Sequence, residues 1–251
     1  MNFSKNRASS TGSSYQAKKL IIDIETAGDD FDTYDKTTKD VLTTYIRNTA
    51  KSDKELEEGI AEVKNNLVFS PLTAQIVAIG VLDHHQSKGV VYYQTKGKEK
   101  ESVEGDITYK PMSEKDMLQA FWEGAQSYQH FITFNGRGFD IPFINMRSAI
   151  NGIRPTKDLM RGRYLYQQTP DAIHIDLFDQ LNYYGALRRS GAMHMYMRAF
   201  NLKSPKDNGV KGEDVTALFK EGRYLDIARY NADDLFATQA LYDKWDKFLR
   251  F

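Results

Sequence analysis

The sequence predicts an α/β fold in which one mixed β-sheet is flanked by helices. Three strand-like segments come early in the chain, and helical patterns then alternate with further short strands. Stable domains bury alternating elements of this kind by packing helices on the faces of a sheet. Because no internal repeat and no Pro- or Gly-rich linker divides the 251 residues, we expect a single domain over 19–251.

The composition is that of a globular protein with a large core. Hydrophobic residues make up 41% of the chain, with 15 Tyr and 14 Phe, which excludes global disorder. The absence of Cys excludes disulfides and thiolate metal sites, and the five scattered His disfavour a zinc site. Residues 1–18 lack the apolar core of a signal sequence, so we expect a disordered tail there. No apolar run reaches about 18 residues, so we also expect no membrane contact and a cytoplasmic location.

Charge is distributed unevenly, although 34 acidic residues balance 34 basic ones. Segment 23–64 has 12 acids and 6 bases, a net charge of −6, whereas 135–170 and 186–211 carry +4 and +5. Two interpretations follow from this distribution. One is an acidic site within a basic rim, and the other is a set of charges that are each solvated on their own helix.

The first strand stops at Gly28 and places two carboxylates within an otherwise apolar run, LIIDIETAG. Because side chains alternate between the faces of a strand, Asp23 and Glu25 share a face with Ile21, with Cα atoms about 6–7 Å apart. Like charges at that distance repel, and burial of an unpaired carboxylate is costly. A partner of opposite charge is therefore needed at this strand.

The next elements follow from the spacing of apolar residues. Helical stripes over 38–48 and 53–67 predict a helical insertion at about 29–70. Two strands are predicted over 73–83 and 88–95, and a charged loop over 96–106 follows them. An amphipathic helix is then expected over 112–128.

A third acid follows a short strand in FITFNGRGFDIPFI. The strand 131–134 ends, the turn NGRG follows, and Asp140 begins a helix. Open α/β sheets place their binding crevices at the ends of strands, which favours a functional site here. A helix N-cap explains Asp140 equally well, because Asp is a favoured capping residue. A further strand is predicted over 173–178.

A fourth acid lies in the long C-terminal helix predicted from Tyr224 to Phe251. Tyr230 and Asp234 are four residues apart, so they share one face of this helix, with Cβ atoms about 5–6 Å apart. A solvated Asp beside a half-buried Tyr is the alternative interpretation. Asp233 competes with Asp234, since it also could face a cleft.

Taken in order, LIIDIETAG, FITFNGRGFDIPFI and RYNADDLFAT resemble the motifs of the DnaQ-like 3′–5′ exonucleases of the ribonuclease-H-like superfamily. The tyrosine spacing resembles the DEDDy branch, similar to the proofreading exonuclease domain of family-B DNA polymerases. The sister branch has His where this chain has Arg229, which excludes that subgroup. The resemblance spans about residues 19–248 and implies a ribonuclease-H-like mixed β-sheet flanked by helices, with no polymerase attached.

The resemblance also implies two divalent ions, Mg²⁺ or Mn²⁺, held by oxygen-only ligands, which select hard cations. It implies that Asp23 bridges both ions and that Glu25 and Asp234 hold the ion carrying the nucleophilic water. Asp140 serves the second ion. Tyr230 orients the water, because a hydroxyl with a pKa near ~10 is a poor base at neutral pH.

The implied activity is the release of nucleoside 5′-monophosphates from single-stranded DNA 3′ ends. The same chemistry on RNA is an alternative, because no residue in the sequence reports on the 2′-hydroxyl. A non-catalytic nucleic-acid-binding module on the same fold is another, although this chain retains all four acids and the tyrosine. A polymerase or a repair protein is a further expected partner, docked through the tail or the helical insertion.

Substrate contacts are predicted at two places. Asn135 and Phe139 flank Asp140 and could hydrogen-bond to and stack on the terminal nucleotide. Lys203, Lys206 and Lys211 lie in a Gly- and Pro-containing loop that resembles a substrate-side loop of these enzymes. The alternatives are that Phe139 belongs to the core and that the lysines are simply solvated. The acidic insertion at about 29–70 could limit which nucleic-acid ends enter the site, or it could be a helical pair with no role in the function.

Overall fold

The computed structural model describes residues 17–188, 191–203 and 212–250. The predicted disordered tail lies, up to residue 16, outside the described residues, and so do Lys206 and Lys211. The four acids of the predicted motifs and Tyr230 all fall within the described ranges.

Within those ranges the strands form one seven-stranded sheet in the order β4-β5-β3-β2-β1-β6-β7. Strand β1 is central; it pairs antiparallel with β2 and parallel with β6, and β6 pairs parallel with β7. The sheet is therefore mixed, which confirms the predicted fold class. The strands are β1 (Lys19–Gly28), β2 (Ala74–Asp83), β3 (Lys88–Tyr93), β4 (Ser102–Glu104), β5 (Ile107–Pro111), β6 (His130–Thr133) and β7 (Ile173–Asp176).

Helices cover both faces of this sheet. The alternation of β1 sends Ile21 into a core with the long C-terminal helix, and sends Leu20 and Ile22 into a second core with Phe121 and Ile144 on the opposite face. Helix α8 packs on the first face, and α3 and α4 pack on the second. The helices are α1 (Lys36–Thr49), α2 (Asp53–Asn66), α3 (Glu114–Ala125), α4 (Asp140–Ile150), α5 (Leu177–Leu181), α6 (Met193–Ala199), α7 (Val215–Lys220) and α8 (Tyr224–Phe248).

Two local predictions were wrong. The segment predicted as a charged loop contains β4, which pairs antiparallel with the unpredicted strand β5. In this short edge strand β4, Val103 and Glu104 are both exposed. Its sequence therefore lacks the alternation of apolar and polar residues that would have predicted a strand. The strand predicted to reach 178 ends at Asp176, because the Asp176 carboxylate accepts a hydrogen bond from the Phe178 N–H (2.9 Å) and caps α5.

Helices α1 and α2 connect β1 to β2 and pack mainly on one another. Their buried residues are Thr43 on α1 and Gly59 on α2, whereas Val41 and Tyr45 are 71% and 74% exposed. Gly59 lets the helices approach, since a Cβ there would lie 2.4 Å from Cγ2 of Ile46. No described helix is both long enough and apolar enough to span a bilayer.

Candidate active site

Strand β1 brings Asp23 and Glu25 to the sheet face that α8 covers. In the pairing with β2, Asp23 lies opposite Gly80, and the register shifts immediately after Glu25. Such irregularities are common beside functional sites, because they re-aim a side chain out of the regular pleat. The Glu25 side chain is buried, and Asp23 is partly buried.

Helix α8 brings a third carboxylate to these two. One carboxylate oxygen each from Asp23, Glu25 and Asp234 lie within 4.8 Å of one another. The neighbouring Asp233 does not belong to this group. It lies near Tyr109 on β5, whose pKa is raised to about 12 by burial first, then by Glu104 and by Asp233. Of the two rival aspartates, the structure therefore places Asp234 with the β1 acids.

Asp140, the first residue of α4, contacts the backbone of the same strand. Its buried carboxylate accepts a hydrogen bond from the backbone N–H of Ile24, at 3.1 Å. The alternative interpretation of Asp140 as the N-cap residue is wrong, because Phe139 is the N-cap residue of α4 and Asp140 is the first residue of the helix. Asp140 instead fastens the start of α4 to β1, next to but outside the three-carboxylate group.

Burial has the largest effect on the pKa of Asp23, Glu25 and Asp140. Burial, with repulsion from Asp234 and Asp140, raises the pKa of both Asp23 and Glu25 well above their ordinary values. Burial also raises the pKa of Asp140 to about 7, although the hydrogen bond from Ile24 works in the opposite direction. Ionisation of Asp23, Glu25 and Asp140 is therefore disfavoured unless a cation compensates their charge.

Asn231 on α8 is a site residue that sequence reasoning missed. It is fully buried, and its Nδ2 donates to Oδ2 of Asp23 at 2.7 Å. Its amide fits against the sheet because residue 80 is glycine; a Cβ at that position would lie 2.0 Å from Oδ1 of Asn231. The available signal was helical spacing, since Asn231 is three residues before Asp234 and so shares its face.

Tyr230 lies one turn before Asp234 and is partly buried. Burial raises the pKa of its hydroxyl far above the ordinary value, and repulsion from Asp234 and Glu25 adds to the shift. A hydrogen bond with Asp234 contributes in the same direction. The hydroxyl therefore stays protonated at every physiological pH and acts as a hydrogen-bond donor.

A cleft of about 490 Å³ opens beside these groups and contains both predicted nucleotide contacts. Asn135 and Phe139 line it together with Asp23 and Asp140. Sequence reasoning missed Phe69, which also lines the cleft, is 66% exposed, and meets the ring of Phe139 edge-on with centroids 6.4 Å apart.

A larger cleft of about 800 Å³ continues past Glu25 toward Thr216 on α7. Lys64 and Lys220 contribute cations to its wall. Lys203, one of the predicted substrate contacts, is exposed and lines neither of these two clefts. Lys206 and Lys211 lie outside the described residues, so their role as substrate contacts stays a prediction.

The turn that leads to Asp140 is held by Asp176, at the end of β7. Its carboxylate accepts hydrogen bonds from the backbone N–H groups of Asn135 (2.8 Å) and Arg137 (2.9 Å). These bonds fix Asn135 in the left-handed region, at a φ of 63°. Asp176 therefore has a structural role, because it fixes the loop that lines the cleft.

The donor set fits a divalent metal ion. Three carboxylates offer only oxygen, their atoms are close enough to share one ion, and their raised pKa values report charge that lacks compensation. Mg²⁺ and Mn²⁺ prefer such hard ligands. The chain itself therefore contains a ready ligand group at the carboxyl-terminal half of β1.

A central β1 with buried acids, α8 across it and α4 beside it define the class of protein, which is a PolB exonuclease-like α/β fold. A family model described as "Predicted 3'-5' exonuclease related to the exonuclease domain of PolB" matches residues 69–249. Since this is well over half of the chain, the chain belongs to that family. The matched range contains Asp140, Tyr230 and Asp234 but begins after Asp23 and Glu25, which the fold adds to the site.

A solved structure of the family B DNA polymerase from the hyperthermophilic archaeon Pyrobaculum calidifontis is similar to the chain, with a TM-score of 0.54 and 14% sequence identity. The match covers 92% of this chain and 24% of the polymerase chain. At this identity the likeness shows the fold alone. No curated protein sequence matches significantly.

Proposed function

We propose that the protein is a metal-dependent exonuclease that removes nucleoside 5′-monophosphates, one at a time, from single-stranded DNA 3′ ends. The observation that carries this proposal is the convergence of Asp23, Glu25 and Asp234 within 4.8 Å, in a chain whose family is a predicted 3′–5′ exonuclease. Phosphodiester cleavage by displacement at phosphorus is the chemistry that such an oxygen-rich metal site serves.

The roles of the residues follow from their places. Asp23, Glu25 and Asp234 would hold one divalent ion, and Asp140, with Asp23, would hold a second. When bound, Mg²⁺ or Mn²⁺ would lower the pKa of a water and neutralise charge that develops on the leaving oxygen. The protonated hydroxyl of Tyr230, which hydrogen-bonds to Asp234, would orient the attacking water without serving as the base.

The cleft beside the acids is suited to a terminal nucleotide. Phe139, which is partly buried against the second core, lines the cavity of about 490 Å³ together with Asn135, whose amide can hydrogen-bond to a nucleotide. Stacking on an aromatic ring tolerates any base, which suits an enzyme that removes successive nucleotides. Phe69, in edge contact with Phe139, narrows the entrance.

An oligonucleotide assay tests the proposal. Purified protein is incubated with 5′-labelled single-stranded DNA and RNA of the same base sequence, with Mn²⁺, Mg²⁺ or EDTA. We expect a ladder that shortens from the 3′ end, 5′-monophosphate products, faster loss of DNA, and no cleavage in EDTA. Trimming of RNA at an equal or greater rate would overturn the DNA assignment, and cleavage that survives in EDTA would overturn the metal assignment.

A matched pair of variants attributes the activity to the chain. Asp23→Asn should abolish cleavage and leave binding of the labelled DNA intact. Glu57→Gln, which changes an exposed acid on α2, should leave both unchanged. Equal nuclease activity in both preparations would show that cleavage does not depend on Asp23, and would contradict the proposed active site.

A further inference from the structure

Away from the acids, an exposed group of aromatic rings and one arginine forms a surface that the proposed reaction does not use. We call Tyr164, Tyr166, Tyr184 and Arg163 the tyrosine patch. Tyr166 is 83% exposed, and its ring lies parallel to that of Tyr164, with centroids 5.7 Å apart and an interplanar angle of 11°. The ring of Tyr184 also contacts that of Tyr164, with centroids 4.6 Å apart and an interplanar angle of 54°.

We propose that the tyrosine patch binds a single-stranded polynucleotide, stacking bases that lie on the 5′ side of the nucleotide being removed. This inference rests on the proposed exonuclease function and extends it to a second contact surface. Proteins that hold single strands without sequence preference combine exposed aromatic faces with basic groups. The patch presents both features.

The arginine of the patch is fixed in place. Its Nε and one terminal nitrogen donate to the two carboxylate oxygens of Asp179, at 3.1 and 2.6 Å. This two-point contact leaves the guanidinium carbon of Arg163 5.9 Å from the ring centre of Tyr184. Residues 159–170 contain Arg161 as well and no acidic residue, although Asp158 and Asp171 flank the segment, so the charge of the segment itself is positive and favours a phosphate backbone.

The backbone also holds the patch in an unusual conformation. Tyr183 and Tyr184 have φ values of 52° and 56°, in the left-handed region that residues other than Gly rarely adopt. Gln180 on α5 donates to the Tyr184 hydroxyl at 2.6 Å and helps keep this ring beside Tyr164. Strain that is retained at an exposed aromatic cluster is typical of a functional surface.

The patch lies on the same rim of the sheet as the acids. Strands β1, β6 and β7 are parallel, and α5, which supplies Asp179 and Gln180, begins directly after β7. Two strand spacings, about 10 Å, separate β1 from β7. Arg137, in the loop that lines the cleft, donates to the carbonyl oxygens of Leu159 and Met160 at 3.3 and 2.9 Å, which ties that loop to the segment entering the patch.

Steady-state kinetics with the full chain test this inference. The long substrates are an oligothymidylate and an oligouridylate of about 12 nucleotides, which a cleft and a patch can hold together. The short substrate is the p-nitrophenyl ester of thymidine 5′-monophosphate, which reaches only the cleft. Tyr166→Ala should raise KM for the long substrates about tenfold with kcat unchanged, the loss expected for one stacked base. KM for the short ester should not change.

Two further variants separate stacking from folding. Tyr166→Phe keeps the ring and should behave as the wild type. Tyr45→Ala removes a ring of similar exposure, 74% against 83% for Tyr166, from α1 and should also leave every KM unchanged. The thymidylate and uridylate arms report whether the patch prefers one sugar.

The two proposals fail in different ways. Hydrolysis of the ester with equal KM values for the long substrate in wild type and Tyr166→Ala overturns the patch and leaves the nuclease intact. If the wild type hydrolyses neither substrate, the proposed function fails. Fluorescence anisotropy with labelled oligothymidylate then decides the patch, because equal affinity in wild type and Tyr166→Ala overturns it and a tenfold loss supports it.

Discussion

Strand β1 and the helical pair α1–α2 are neighbours in the chain, and both are rich in acids, yet the structure treats those acids in opposite ways. On β1, Glu25 is buried, and repulsion and burial raise its pKa. On α2, the carboxylates face solvent, and the helix buries little beyond Gly59. The exposed acids of α2 are Asp53, Glu55, Glu57, Glu58 and Glu62.

The difference shows that the number of acids in a segment does not identify a site. A solvated carboxylate costs little and has no need of a cation, whereas several carboxylates buried together are unfavourable until their charge is neutralised. We therefore expect the buried acids of β1 to lower the stability of the metal-free protein, and we take this cost as a sign that β1 contributes to a functional site. Variants at β1 or α8, each matched with a variant in α1–α2, test whether burial of the acids makes this difference.

The largest expected effect is that of Asp23→Asn. Removing this carboxylate should lower the cleavage rate by about 10³-fold or more, because the proposed metal site would lose the ligand that its two ions share. The same change relieves repulsion with Glu25, Asp140 and Asp234, so the thermal midpoint in EDTA should rise. Cleavage rates and melting curves measure the two effects. Glu57→Gln should shift neither, and a fall in both activity and stability for Asp23→Asn would contradict the comparison.

Tyr230→Phe should have the next largest effect. If Tyr230 orients the attacking water as proposed, loss of its hydroxyl should lower kcat by about 10²-fold with little change in KM. Because the pKa of Tyr230 is raised, the wild-type rate should not decline through deprotonation of this group up to about pH 10. Tyr45→Phe, on α1, is the matched control and should leave kcat unchanged. A wild-type level of kcat in Tyr230→Phe would remove the tyrosine from the mechanism.

Gly80→Ala should lower activity about tenfold, the usual scale for losing a partner that orients a metal ligand. The new Cβ would displace the amide of Asn231 and with it the hydrogen bond to Asp23. Asn231→Ala, which leaves the space at Gly80 open, should lower activity to a similar extent. Gly59→Ala introduces a comparable contact, with Ile46, and should cost stability without lowering activity. Nucleotide release per folded protein, with circular dichroism as the check on folding, measures all three variants.

The smallest expected effect is a pH-dependent difference in stability between the wild type and Asp140→Asn. The folded-state pKa of Asp140 is raised to about 7, so the stability associated with its protonated form is fully present below the ordinary pKa near 4. That stability is lost as the pH rises through about 7. In EDTA, Asp140→Asn should therefore gain on the wild type from pH 5 to pH 8, by about 5 °C in the thermal midpoint.

Mg²⁺ should reduce that difference, because it stabilises the ionised wild-type site. Differential scanning fluorimetry at several pH values, with and without the metal, measures both trends. An opposite slope, with the wild type gaining stability as the pH rises relative to Asp140→Asn, would contradict the burial argument. Glu62→Gln, on α2, should show no such slope.

The element pattern was largely predictable because it depends on near neighbours in the chain. The alternation in β1, the helix after Asp140 and the long α8 all appear close to the residues where the sequence indicated them. The misses have a common physical cause. Strand β4 exists only because β5 pairs with it at an edge, and α5 begins early only because Asp176 turns to cap it.

What the sequence determined by itself was local: two carboxylates on one face of a strand, and a tyrosine and an aspartate on one face of a helix. The tertiary structure decided that Asp234 and not Asp233 lies with them, that the Asp140 carboxylate accepts a hydrogen bond from β1, and that Asn231 reaches Asp23 across 208 residues of sequence. Spacing sets the direction of a side chain within an element. Its partners are set by how elements pack, and Asn231 can lie over the sheet only where Gly80 leaves space.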